Sequence, residues 1–164
     1  MAFNFFFLIL FLVSFIPNGN AQCELKSEMN QNGTISTTSQ SELIYSNEKY
    51  QMYSQIKFDG IDYYLVWIVK PFLSKTLKPS KMEVLLDNKS TLLLDFYDSY
   101  ETKKDTSMNF LYRVNTENVL LFSQNNIHTI SFDAEFGVKN FILKLHKDQI
   151  KIQFNCVLNS LKKE

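Results

Sequence analysis

The sequence predicts a mainly β domain of the β-rich α+β class, a two-layer antiparallel sandwich-like fold with a short helix and a C-terminal segment that leans helical. Three observations carry that expectation. Between Tyr50 and Lys70, Asp59-Gly60 separates two runs of strand-forming residues, the signature of a hairpin with a two-residue turn. Beyond it, Ile61, Tyr63, Leu65, Trp67 and Val69 alternate with Asp62, Tyr64, Val66, Ile68 and Lys70, and both series are apolar in the middle. A strand apolar on both faces belongs inside a covered sheet, which requires a second layer. The third observation is composition: 45% of the 164 residues are apolar and the formal net charge is zero, unlike a disordered chain.

Residues 1–21 read as a signal peptide. Phe5 to Ile16 is apolar apart from Ser14 and carries no charge, and it is too short to span a bilayer: twelve residues of helix cover about 18 Å of a core roughly 30 Å thick. Pro17 and Asn18 break that run, and Gly19-Asn20-Ala21 offers small residues at a cut that leaves Gln22 first. Two alternatives stand beside this reading, an uncleaved anchor and lipid attachment at Cys23, although Gln22 occupies the place where lipidation wants a small residue. Cleavage leaves 143 residues with every charge of the chain, read as a single β-rich globular domain over 22–164, periplasmic or extracellular and without a transmembrane segment.

The remaining elements follow in order. Thr34 to Thr38 and Leu43 to Ser46 are weaker strand candidates, with 36–41 between them read as a turn or exposed edge. Met82 to Leu86 and Thr91 to Tyr97 form a second hairpin about Asp87-Asn88, and Asp98 to Ser107, with five charged residues, reads as a solvated loop. Met108 to Val114 resumes as a strand. Asn115-Thr116 starts a short helix to Gln124, with Glu117 at its positive end and Val119, Leu120 and Ser123 along one side. Ile127 to Phe132 is a strand. From Lys147 to Leu161 the apolar residues fit either period, with helix preferred.

Cys23 and Cys156 are the only cysteines, and an even count in an exported chain suggests a disulfide. Such a bridge would tie the two ends together and, in the chain-entropy model, stabilise by up to roughly 5 kcal/mol. The alternative is an unpaired Cys23 and a buried free Cys156.

Catalytic signatures are thin. His128 and His146 are the only histidines, and no HExxH, CxxC, GxSxG, GxxxxGK[ST] or GxGxxG occurs, so neither a catalytic residue, a cofactor nor a metal site is assigned. Asp95 and Asp98 are the nearest to a carboxylate pair, but three residues apart on a strand they face opposite sides unless the strand bends between them. No basic excess exists to neutralise phosphates, which argues against nucleic acid as a partner. Trp67 reads as interior. Tyr45, Tyr50 and Tyr53 form the candidate binding surface, offering flat rings to a protein or glycan partner, and Asn32 and Asn88 begin glycosylation sequons in turns. The expected function is a non-enzymatic binding or surface-interaction module. The alternative is a secreted or periplasmic hydrolase using carboxylates not recognisable from the sequence.

Overall fold

The computed structural model describes residues 24–29, 33–49, 51–70, 80–102, 106–134 and 137–162. They form one antiparallel sheet of ten strands and two helices. The strands are β1 (Leu25–Met29), β2 (Ile35–Ser39), β3 (Glu42–Ser46), β4 (Gln51–Phe58), β5 (Tyr63–Lys70), β6 (Met82–Leu86), β7 (Thr91–Thr102), β8 (Ser107–Val114), β9 (Ile127–Ala134) and β10 (Gly137–Ile142); α1 (Thr116–Gln124) lies between β8 and β9, and α2 (Gln149–Leu161) ends the chain. The order across the sheet is β1-β2-β4-β5-β8-β7-β6-β9-β10, and β3 pairs with β4 beside β2.

Two layers arise because β7 serves both. Thr91 to Leu94 pair with β6 and Asp95 onward with β8, so the strand passes from one layer to the other after Leu94, and a register shift follows between Phe96 and Asp98. The inner faces supply a common core: Ile56, Trp67 and Phe110 from the first layer meet Val84, Ile130 and Phe132 from the second. The Trp67 and Phe132 rings meet edge to face, centroids 6.2 Å apart. The two-sided character of β5 is as expected, since Leu65, Trp67 and Val69 enter the main core while Val66 and Ile68 form a second buried cluster with Leu111 on the opposite face.

Asn115 caps α1 as the sequence implies, its side-chain oxygen accepting the Asn118 N–H at 2.8 Å. The buried stripe differs from the expected one. Val119 and Phe122 point inward, and Leu120 is exposed, because α1 packs on α2 through the parallel stack of Phe122 on Phe154 at 5.1 Å. The C-terminal segment is helical, and α2 lies against β4 and β2. The alternation that suggested a strand yields because Ile150, Phe154 and Val157, spaced three and four apart, bury one helical face.

Three further expectations need correction. The Asp59-Gly60 turn has four residues: Phe58 pairs with Tyr63, and only Gly60 there has positive φ, at +99°. Asp59 holds this longer loop by accepting the N–H groups of Ile61 and Asp62, so the hairpin does not need two consecutive left-handed residues. The stretch 36–41 is strand through Ser39, with Ser36, Thr37 and Ser39 buried; the Ser39 hydroxyl accepts the Ile56 N–H, satisfying polar groups inside the layer. Finally, β7 continues through the charged Asp98–Thr102 stretch, because β8 supplies its ladder and the charged side chains stay exposed. The strands β1 and β10 have no counterpart among the expected elements.

Candidate functional site

The sheet curls until its two ends approach, and the approach leaves a groove. On one side is β3, bent by a register shift between Leu43 and Tyr45; on the other is β10, whose only strand partner among the described residues is β9. Tyr45 and Phe141 meet edge to face across the gap, centroids 5.3 Å apart. Beside them is a cavity of about 520 Å³ lined by Leu43, Tyr45, Ser46, Ile142, Lys144 and His146, among others. Its rim is apolar and wet: Ile142 is 52% and Leu145 73% exposed. Lys144 carries positive charge, and the described lining residues include no carboxylate. The connection from β10 to α2 that bears these residues is anchored by backbone bonds from the Leu143 N–H to the His128 carbonyl and from the Ile127 N–H to the Lys147 carbonyl.

A second cavity, of about 890 Å³, lies where β1 meets the β2–β3 junction, lined by Glu24, Lys26, Gln40, Ser41 and Gln55 with Leu25 and Ser39. Its wall mixes polar and apolar surface in equal parts. Among its described lining residues the Glu24 carboxylate has no histidine or second carboxylate beside it.

The structure separates the tyrosines of the sequence reading. Tyr45 lies on the groove, half-buried. Tyr53, one strand away, is packed with Val66, Ile68 and Leu111 on the far face of the layer, its hydroxyl donating to Gln51 at 2.8 Å and its ring under the Lys70 ammonium at 5.2 Å. Tyr50 lies outside the described residues. On the same far face, Tyr64, Tyr97, Arg113, Asp59 and Asp62 interlock: the Tyr64 hydroxyl donates to Asp59 at 3.0 Å, Arg113 pairs with Asp62, and Arg113 lies 5.8 Å from the Tyr97 ring. Every charge in that cluster has its partner, and it braces the β4–β5 hairpin against β8 and β7.

The register shift in β7 supplies the bend that Asp95 and Asp98 need to share a face, since Asp95 pairs with Arg113 and Asp98 with Leu111. Both are nevertheless exposed, Asp95 beside Lys81 and Asp98 accepting the Ser99 N–H. His128 is exposed on β9, its Nδ1 2.8 Å from the Thr129 hydroxyl. Among the described residues no group of three or more His, Cys, Asp or Glu is placed to hold a metal ion. Asn88 is exposed at the β6–β7 turn, its side chain accepting the Ser90 N–H at 2.9 Å, while Asn32 lies outside the described residues. Cys156 is half-buried on α2; Cys23 and residues 1–21, which the sequence reads as a signal peptide, also lie outside the described residues. Sequence reasoning missed the groove, apart from Tyr45, because half of it is built by β10.

No known protein family matches the chain, and no curated protein or solved structure matches it either. No helix among the described residues is long and apolar enough to cross a membrane.

Proposed function

We propose that this chain is an exported, non-enzymatic binding module whose contact site is the groove between β3 and β10. The observation that carries the reading is the exposed apolar rim of Ile142 and Leu145 beside a recess containing Tyr45. Exposed apolar side chains bordering a recess are the usual anchor of a contact surface. Export rests on the uncharged Phe5–Ile16 run and the small residues before Gln22, and the secreted product is expected to begin at Gln22 by intact mass. Asn88, exposed on a hairpin tip remote in sequence from the groove, is the glycan acceptor of this reading.

The test uses the mature protein immobilised and exposed to glycan arrays and to its native extracellular fluid. Paired Ile142→Ser and Leu145→Ser changes remove the apolar rim from side chains that already face water, so folding is retained. Retention is expected to fall by about tenfold or more, the equivalent of roughly 1.4 kcal/mol. Tyr53→Ala, on the other face, should leave it unchanged. Equal retention by the rim variant would remove the groove from the proposal.

A further inference from the structure

We infer that the groove, if it is the contact site proposed above, takes an extended peptide with alternating acidic and apolar side chains, added as a strand along the side of β10 that has no strand partner among the described residues. The two ends of the sheet differ in kind. β1 exposes Lys26, Ser27 and Glu28 with Met29 at its end, so that charges dress most of that edge against accidental pairing, whereas β10 exposes Val138, Asn140 and Ile142. An edge strand with apolar side chains offers a row of main-chain groups to an incoming strand, and pockets beside it select alternate side chains of the guest. The cavity at Tyr45 and Ile142 is such a pocket.

Charge selects among occupants. Lys139 on β10 and Lys144 just beyond it bring positive charge to this edge, and among the described residues no acidic side chain lines the cavity. A second copy pairing β10 on β10 would bring these like charges together, which disfavours the homodimer. An acidic guest instead meets Lys144 and His146 while its apolar residues meet Ile142 and Leu145.

The probe is a fluorescein-labelled peptide of about eight residues alternating glutamate with valine, long enough to match a typical strand. Fluorescence polarisation would follow its binding to the full mature chain at low salt. The proposal expects saturable binding that weakens about tenfold or more when lysine replaces glutamate, when alternate peptide amides are N-methylated, or when the protein carries Lys144→Glu. Lys26→Glu makes the same charge change at the opposite edge and should leave the affinity unaltered.

Equal binding of the N-methylated peptide would overturn strand addition, and an equal loss with Lys26→Glu would reduce the effect to overall charge. A dimer in solution that Lys144→Glu strengthens would assign the edge to a second copy. If the peptide does not bind while the Ile142→Ser, Leu145→Ser protein loses a glycan or another retained partner, the peptide is wrong and the groove survives. If that variant loses nothing, the site itself fails.

Discussion

At the scale of single residues, the β4–β5 turn shows how a short sequence signal becomes a titrating unit. Burial alone would raise the Asp59 carboxyl pKa, but the N–H groups of Asp62 and Ile61, the Tyr64 hydroxyl and the Lys57 charge outweigh it and hold it below the usual value. The same contact acts in the other direction on Tyr64, whose burial, hydrogen bond to Asp59 and neighbouring negative charges push it up to about 12. The signs of the two contributions differ. A depressed carboxyl stabilises the fold above its unfolded pKa and loses that contribution as pH falls through the folded value; a raised phenol stabilises it below about pH 10 and loses that contribution as pH climbs toward about 12. Burial raises Tyr63 and Tyr100 as well, so tyrosinate absorbance should show several phenols ionising late with Tyr64 near pH 12, and Tyr64→Phe should remove the step near pH 12 and cost about 1 to 2 kcal/mol in denaturant unfolding. An ordinary phenol titration that Tyr64→Phe leaves unchanged in shape would contradict the arrangement. Gly60 belongs to the same turn: a Cβ there would lie 2.7 Å from the Thr34 methyl carbon, which binds the turn to the start of β2.

At the scale of elements, the helices test what can be read from a sequence and what cannot. The α1 cap was legible because Asn115 is a favoured capping residue with an acid in the first turn behind it, and Asn115→Ala should cost about 1 kcal/mol. Gln153 was not legible, since a glutamine among alternating apolar residues on an amphipathic segment looks like the wet side. It is 3% exposed instead. Its amide oxygen accepts the Ser54 hydroxyl at 2.7 Å and its nitrogen donates to the Gln40 and Ser54 carbonyls at 2.8 and 2.9 Å, so one side chain fastens α2 to β4 and to the β2–β3 junction. Gln153→Ala leaves the Ser54 hydroxyl and two carbonyls without these partners, and it should destabilise by about 3 kcal/mol, well beyond the loss at Asn115. Similar stability losses for the two variants would mean that Gln153 is only packing. The edge strands were hidden for a related reason: β10 mixes Val138, Lys139 and Asn140, and its strand character comes from β9 in the fold rather than from its own alternation.

At the scale of the whole molecule, the β2–β3 junction brings the beginning of the described chain toward its end. The Glu24 carbonyl accepts the Gln40 N–H at 3.0 Å, and the Gln40 carbonyl accepts from Gln153, three residues before Cys156 on α2. Glu24 follows Cys23 in the sequence, and no free cysteine occurs among the described residues. These contacts support a proposed Cys23–Cys156 bridge, because two hydrogen bonds already hold the flanking backbone and the helix together. A bridge of this span acts chiefly on the unfolded chain, whose ends it forbids to separate, so its loss should lower the unfolding midpoint without altering the groove. Paired Cys23→Ser and Cys156→Ser changes are expected to cost about 3 to 5 kcal/mol, while binding at the β3–β10 groove persists below the new transition. Alkylation of the unreduced, denatured protein followed by mass measurement gives the direct check: two blocked thiols are expected, and full labelling without reductant would rule the bridge out.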